Sequence, residues 1–384
     1  MITRIKSKNI ILPDGIVSGY VYFEHGKITA VTEENFLFDT EIDVGENYVS
    51  PGFIDMHTHG AGGYDFSDST EAVIRAANKH LEYGTTSLLP TVSAAPIDKM
   101  ALATGYIQEA MGDERTLPNI IGAHLEGPYF NPEFCGAQNP DFITPPIREQ
   151  YLPLLERYGD VIARVSYAPE LDTDNEFLFE LKKHGILPSA GHTGARYEDM
   201  DRAISGGLAL VTHLFSCTST ITREQGFRHL GVIETALLRD DIYAEIIADG
   251  KHLPYELIRL VRKTKGPKKV ALITDSLFVA ATDSIQTGEC MGISFIIEDG
   301  VCKLSDRSAF AGSICTADRC IREVHFGAGI PLHEAVGMMS AVPGEILGIK
   351  KGVLKAGYDA DIVIFDKNVN ILSVLVGGEV KFKK

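Results

Sequence analysis

The stretch Pro-Gly-Phe-Ile-Asp-Met-His-Thr-His-Gly, residues 51–60, decides how the whole chain is interpreted. Its apolar residues Phe53, Ile54 and Met56 are typical of a buried strand, and the strand then ends in His57 and His59. Side chains two positions apart on a strand point to the same face, so the two imidazoles can ligate one cation. A lone His-x-His pair is more often a pair of ordinary core or surface histidines, and the assignment therefore depends on the rest of the chain.

The middle of the chain alternates apolar runs with helix-like segments, each typically ended by a glycine such as Gly84, Gly185 or Gly266. In the first of these segments Thr70 is the expected helix cap. This alternation predicts a closed parallel (β/α)₈ TIM barrel. An open doubly wound sheet is the alternative, but it usually carries a GxGxxG motif after its first strand, which is missing here. The predicted strands are Phe53–His57, Thr86–Val92, Ile120–Leu125, Ile162–Ala168, Ile186–Ala190, Ala209–His213, Ile242–Ala248 and Val270–Thr274.

Both ends of the chain have a different pattern, in which short β-like runs are separated by turns such as Asp14-Gly15. Such spacing is typical of small antiparallel sheets. We therefore predict one small β-sandwich domain built from residues 1–50 and 345–384, and a (β/α)₈ barrel from residues 51–344.

Composition limits the classes of partner. The chain has 384 residues, is 45% hydrophobic and carries a formal net charge of −16, which predicts a packed core and no nucleic-acid or anionic membrane partner. A small anionic substrate held by local cations remains compatible with this charge. The first residues lack the apolar run of a signal peptide, no stretch is suited to span a bilayer, and the six cysteines form no CxxC pair. We expect a cytoplasmic enzyme with free thiols.

In a TIM barrel the carboxyl ends of the strands face the active site. Imidazole and carboxylate groups converging there are what a Zn²⁺ or Fe²⁺ site requires. His124 is interpreted as a supporting or packing residue, and Cys217 as a small thiol rather than a metal ligand. The polar residues at or just after strand ends are His57, His59, Glu126, His192, His213, His252 and Asp275.

These motifs resemble those of the N-acetylglucosamine-6-phosphate deacetylase family of the amidohydrolase superfamily. The resemblance implies that Glu126, His192 and His213 are the principal metal ligands, and that His57 and His59 belong to a second, more variable metal position. It further implies that Asp275 is the catalytic carboxylate, that His252 binds substrate and that the enzyme is a homodimer. The matching stretches are PGFIDMHTHG, GYDF, HLEGPYF, SAGHT, THLF, REQG, IIADGKH, LITDS and AGS, between residues 51 and 313.

The substrate pocket departs from the family pattern. Gln138 stands where the family usually has histidine, Ser216–Thr218 where it has Asn-Ala-Met, and Ser276 where it has alanine. Glutamine can donate a hydrogen bond but cannot carry charge. Arg223 retains the family's phosphate-binding arginine, so part of a phosphate site survives. The substrate-binding residues implied by the resemblance are His252, Arg223, Ala137, Gln138, Ser216, Cys217, Gly312 and Ser313.

The predicted reaction is hydrolysis of the acetamide of N-acetylglucosamine 6-phosphate, giving glucosamine 6-phosphate and acetate. One or two divalent metals per chain would activate water; zinc is the first choice, and iron, manganese and cobalt are the alternatives. Asp275 would act as the general base and then as the general acid. A related sugar such as N-acetylgalactosamine 6-phosphate, or a different amide, is the alternative substrate. Cyclic-amide hydrolysis is disfavoured because the fourth strand has no lysine to bridge two metals. A non-catalytic metal-binding scaffold is disfavoured because it would not need Asp275 and His252.

Overall fold

The computed structural model describes residues 1–290 and 292–384. The chain begins with five strands that belong to the small domain: β1 Thr3–Leu12, β2 Gly15–Glu24, β3 Lys27–Thr32, β4 Thr40–Asp43 and β5 Tyr48–Pro51.

The barrel strands follow, together with two short hairpins, β7–β8 after β6 and β15–β16 after β14. In chain order these are β6 Phe53–Thr58, β7 Gly60–Ala61, β8 Tyr64–Asp65, β9 Thr85–Ser93, β10 Asn119–Ile120, β11 Ala123–Glu126, β12 Ile162–Tyr167, β13 Leu187–Ala190, β14 Leu210–Val211, β15 Thr222–Glu224, β16 Phe227–His229, β17 Tyr243–Ile247 and β18 Val270–Ile273.

Most of the helices connect successive barrel strands and bury one apolar face. The first one begins one residue earlier than predicted, because the Ser69 hydroxyl, not Thr70, accepts the hydrogen bond from the Ala72 amide and caps the helix. The helices are α1 Thr70–Leu81, α2 Ile97–Met111, α3 Arg148–Tyr158, α4 Glu176–Lys183, α5 Tyr197–Gly206, α6 Val232–Leu238, α7 Tyr255–Lys265, α8 Ala317–Arg322, α9 Leu332–Met338 and α10 Ala341–Ile346.

Two further groups of strands complete the chain. A small antiparallel sheet follows the last barrel strand, and three strands at the end return to the small domain. They are β19 Thr287–Cys290, β20 Ile293–Glu298, β21 Val301–Leu304, β22 Ile362–Phe365, β23 Ile371–Val376 and β24 Glu379–Lys383.

The parallel barrel predicted from the alternating pattern is confirmed. Its strands pair in chain order, with β10 and β11 as successive segments of the third strand. Backbone hydrogen bonds between the ends of the first and last strands close the ring at its carboxyl end: the Asp275 amide donates to the His57 carbonyl at 2.9 Å, and the His59 amide to the Ser276 carbonyl at 2.8 Å. Closure therefore places the two ends that carry His57, His59 and Asp275 side by side.

The small domain built from both termini is confirmed as well. Strands β1–β5 and β22–β24 form one eight-stranded sheet, in which β22 pairs antiparallel with β5, directly before the first barrel strand. The sheet encloses its own core around Ile5, Val21, Ile362 and Leu375. The boundaries at residues 50 and 345 stay predictions. In the described part of the chain, every helix is too short or too polar to cross a membrane.

Candidate active site

A cavity of about 330 Å³ opens at the carboxyl end of the barrel. Its floor is polar and contains Glu126, His192, His213, His59 and Asp275. Its walls are mostly apolar, as expected for a pocket that excludes water around a few oriented polar groups. The apolar wall residues are Phe215, Ile247, Leu277, Ile293, Phe295 and Phe310.

Three ligand atoms of the floor converge on one point, and we call Glu126, His192 and His213 the first group. Glu126 Oε1 lies 3.1 Å from Nε2 of both histidines, and the two Nε2 atoms lie 3.2 Å apart. Each histidine donates its Nδ1–H to a backbone carbonyl: His192 to Phe134 at 3.0 Å and His213 to Ser216 at 3.1 Å. In the neutral rings two nitrogen lone pairs then face each other and a carboxylate. A cation between them resolves this repulsion, so the donor set fits a divalent transition metal.

The backbone at three strand ends has an unusual conformation. His192, His213 and Asp275 have φ values of +48°, +28° and +47°, in the left-handed region that L-residues rarely adopt. Such strain, of order 1–3 kcal/mol per residue, persists only where the surrounding structure imposes it, and it clusters at functional sites. The backbone turn at each strand end thus aims the side chain into the cavity.

A second group consists of His57, His59 and Asp275. Asp275 Oδ1 lies 3.4 Å from His57 Nε2 and 3.2 Å from His59 Nε2. Glu126 connects the two groups, because its Oε1 is 3.3 Å from His57 Nε2 and its Oε2 is 3.3 Å from His59 Nε2. His57 Nε2 is buried and has no hydrogen-bond partner, as expected of a nitrogen reserved for a metal.

The electrostatics of the cavity floor are dominated by burial and by the two carboxylates. Burial opposes the charged form of His57 and His59, but Glu126 and Asp275 outweigh it and raise the pKa of His57 to about 9 and that of His59 to about 10. Without a metal, these rings therefore hold protons that a metal ion would displace.

His252 stands on the opposite wall and is held by a buried carboxylate. Asp249 Oδ1 accepts the backbone amides of Lys251 and His252, and its Oδ2 accepts the His252 Nδ1–H at 2.9 Å. The Phe310 ring packs edge-on against the imidazole, with the ring centroids 4.9 Å apart. Nε2 is consequently the ring nitrogen left for a ligand in the cavity that His252 lines.

Comparison with known proteins agrees with this metal-ready hydrolytic site. The model of the amidohydrolase family matches residues 48–381. This chain belongs to the amidohydrolase family.

Within that family, this amidohydrolase is similar to N-acetylglucosamine-6-phosphate deacetylases. It is 32% identical to the one of Haemophilus influenzae, over 88% of each chain, and 30% identical to the one of Bacillus subtilis, over 98% of this chain and 96% of that one. The crystal structure of the Pasteurella multocida deacetylase superposes with a TM-score of 0.91 at 29% identity, over 99% of this chain and 100% of that one. A Mycobacterium smegmatis deacetylase mutant in complex with N-acetyl-D-glucosamine-6-phosphate superposes with a TM-score of 0.91 at 25% identity, over 99% of each chain.

Most of the expected substrate-binding residues line the cavity of this amidohydrolase, namely Ala137, Gln138, Ser216, Cys217 and Gly312, in addition to His252. Ser313 does not: it is fully buried, and its hydroxyl donates to the Thr274 carbonyl. Its contribution is to hold the end of the last barrel strand.

Gln138 has a different environment from the one expected of a phosphate ligand. Its Oε1 accepts the Ala94 amide at 3.0 Å, and its Nε2 donates to Glu126 Oε2 at 2.6 Å. Both ends of the amide are thus engaged, and the side chain supports a carboxylate of the first group.

Arg223 lies away from the cavity of its own chain. It belongs to the β15–β16 hairpin, where residues 222–228 are all exposed. Among the described residues that line the cavity, none is an arginine or a lysine. The described lining of the cavity thus offers neither a guanidinium nor an ammonium group to an anion.

Sequence reasoning missed two residues that lie directly below the floor, Arg164 on β12 and Glu245 on β17. Both are fully buried, and they form an ion pair at 2.5 Å. The available signal was a single charged residue inside each of two otherwise apolar strands, because charged residues are almost never fully buried unless they are paired.

Proposed function

We propose that this amidohydrolase hydrolyses the acetamide of N-acetylglucosamine 6-phosphate to glucosamine 6-phosphate and acetate. The observation that carries the proposal is the convergence of the first group, Asp275 and His252 on one cavity. The deacetylases named above support the choice of amide and sugar. We further propose a reducing, cytoplasmic location, because the six cysteines are scattered without a CxxC pair.

The first group would hold the principal metal, proposed to be zinc, and His57, His59 and Asp275 would hold a second ion. Nitrogen and carboxylate oxygen ligands suit zinc, and also iron, manganese or cobalt. Bound there, a divalent cation would supply Lewis-acid chemistry, by lowering the pKa of water and polarising the amide carbonyl.

The chain's own residues provide the proton transfers. Asp275 takes a proton from the attacking water and later gives it to the amine nitrogen as the C–N bond breaks, since an amine leaves poorly as an anion. His252, oriented by Asp249, donates from Nε2 to the carbonyl oxygen as negative charge develops there. The apolar walls exclude other water from the reacting amide.

The phosphate contact is proposed to come from Arg223 of a second subunit. The hairpin is exposed, its arginine does not reach the cavity of its own chain, and a homodimer is expected from the resemblance. An arginine–phosphate pair contributes roughly 1.5–3 kcal/mol. Loss of the guanidinium should therefore lower kcat/KM for the phosphorylated sugar by about tenfold to a hundredfold.

The decisive experiment measures acetate release from N-acetylglucosamine, N-acetylgalactosamine and N-acetylmannosamine, each with and without the 6-phosphate. We expect the highest kcat/KM for N-acetylglucosamine 6-phosphate. A preference for another epimer would assign the altered residues 216–218 to sugar selection, and no acetate from any sugar would refute the proposal.

Arg223→Ala in the same assay tests the phosphate contact, and Arg228→Ala is the matched control, because the two arginines pair across the hairpin. Only the first variant should lose the preference for phosphorylated sugars. If Arg223→Ala lowers kcat/KM for phosphorylated and unphosphorylated sugars equally, Arg223 is not the phosphate ligand.

A further inference from the structure

His57 differs from the other histidines of the floor in what lies behind its ring. His192 and His213 donate their Nδ1–H to backbone carbonyls, and His59 Nδ1 pairs with the Ser93 hydroxyl at 2.9 Å. Behind His57 lies a carboxylate instead: Nδ1 is 3.1 Å from Glu245 Oε1. The other ring nitrogen, Nε2, faces Glu126 and Asp275.

Glu245 is itself neutralised by Arg164, across the interior of the barrel. Glu245 Oε2 accepts Arg164 Nη1 at 2.5 Å, and both side chains are fully buried. Arg164 also donates to the Ser189 hydroxyl, the Thr212 hydroxyl and the Met56 carbonyl, at 3.1, 2.9 and 3.2 Å. The guanidinium is thus bound to the strand that carries His57 as well as to the carboxylate behind it.

We propose that the buried Arg164–Glu245 pair is a positioning device that sets the metal affinity of the second position through His57. A carboxylate behind a histidine fixes the ring and increases its basicity toward a metal. Arg164 in turn holds that carboxylate in place behind the ring, because it binds both Glu245 Oε2 and the Met56 carbonyl on the strand of His57. A buried carboxylate without such a partner would be costly, so the pairing keeps the negative charge behind His57 in the barrel interior.

The inference rests on the proposed second metal position but not on the choice of substrate. Glu245 Oε1 also accepts the His213 backbone amide at 3.4 Å, but the histidine rings of the first group are backed by main-chain carbonyls and not by this carboxylate. Removing the carboxylate should therefore weaken one position and spare the other. A side chain that merely stabilised the fold would affect both positions alike.

The test titrates metal-free protein with Zn²⁺ against a competing chelator and resolves the two affinities. In Glu245→Gln, the glutamine oxygen still accepts the His57 Nδ1–H, but the charge is gone. We expect the second affinity to fall roughly 10- to 100-fold, as is typical for loss of such a partner, with the first unchanged within about threefold. Ser166→Ala is the matched control, because Ser166 lies in the same buried network without touching Arg164, Glu245 or a metal-group histidine. It should keep both affinities.

Leaving Arg164 unpaired in the barrel risks unfolding, so the double variant Arg164→Met with Glu245→Leu is measured in parallel. Replacing a buried ion pair by apolar residues often preserves stability. The double variant should keep its first metal and lose affinity at the second. Wild-type second-site affinity in either folded variant, an equal loss at both positions, or a wild-type chain that saturates with one Zn²⁺ would overturn the inference. Acetate release by a one-metal enzyme would still support the proposed deacetylation.

Discussion

The two ligand groups of the cavity floor are built by different parts of the chain. The first group takes its orientation from the main chain: its histidines donate to the carbonyls of Phe134 and Ser216. The second group takes its orientation from other side chains, Glu245 behind His57 and Ser93 behind His59. It also includes Asp275, which we propose as the proton carrier. A hydrogen bond to a backbone carbonyl remains when the residue that provides it is substituted, whereas a hydrogen bond to a side chain is lost. Substitutions behind the ligands should therefore change metal affinity less at the first position than at the second.

The largest expected effect separates the two groups directly. His192→Asn should lose most of the tightly bound metal and all measurable turnover, while His57→Asn should keep the first metal. His124→Asn is the control, since the buried His124 ring packs edge-on against His57 but hydrogen-bonds Thr91 and Ser166 instead of a carboxylate of either group. Elemental analysis of protein purified without chelator gives the comparison. Equal metal loss in His57→Asn and His192→Asn would contradict the distinction between the groups.

The second effect concerns Asp275, which belongs to the second group and is also the proposed proton carrier. Asp275→Asn should keep the fold and the first metal but lower turnover by about 10²-fold or more, because it removes the proton carrier. The measurements are kcat for acetate release and metal content on the same preparation. Turnover within about threefold of wild type would show that Asp275 serves the structure and not the proton transfer.

The third effect concerns His80 of helix α1, a buried residue that packs behind the strand carrying the second group. Its Nε2 lies 2.9 Å from the Thr58 hydroxyl and 3.1 Å from the Gly60 carbonyl, and its Nδ1 has no hydrogen-bond partner. Burial lowers the pKa of His80 to about 4. Between about pH 6.5 and 4 the unfolded chain binds a proton that the folded chain does not, so the free energy of unfolding should decrease as the pH is lowered through this range, by about 3 kcal/mol from this group.

Denaturant unfolding at a series of pH values measures that dependence. His80→Gln should remove this part of the pH dependence, whereas His25→Gln, at an exposed position, should leave it in place. A pH dependence that is identical in wild type and His80→Gln would show that His80 does not contribute.

The smallest effect is expected at the wall opposite the metal groups. Asp249→Asn keeps a hydrogen-bond acceptor for His252 but removes the charge of that acceptor. Turnover should fall about tenfold, corresponding to the loss of one charged hydrogen bond, with the metal content unchanged. The measurements are kcat for acetate release and elemental analysis of the same preparation. Asp172→Asn is a matched control, because this buried aspartate accepts the Phe177 and Leu178 amides of α4 instead. Wild-type turnover in Asp249→Asn would exclude a role for the Asp249 charge in the reaction.

Sequence by itself determined the fold class and most of the candidate site. The barrel was predictable because strand and helix periodicities are local properties of the chain, and the structure retains a strand within each of the eight predicted runs. The polar residues at the strand ends could be expected in one cavity because a parallel barrel brings the carboxyl ends of all its strands to one face. The family resemblance then singled out Glu126, His192 and His213 among them, and in the structure these three lie close enough to share one ion.

Only the tertiary structure decided how these residues are supported. From the sequence, Gln138 could contact either a phosphate or Glu126. Its contact with Glu126 depends on where the loop after β11 folds back, which only the tertiary structure shows. Arg223 matches a family motif, yet the hairpin carries it away from its own cavity. The partners Arg164 and Glu245 are 81 residues apart and meet across the barrel interior. Spacing along the chain cannot reveal such pairs, because contacts between distant strands are set by closure of the barrel and not by local periodicity.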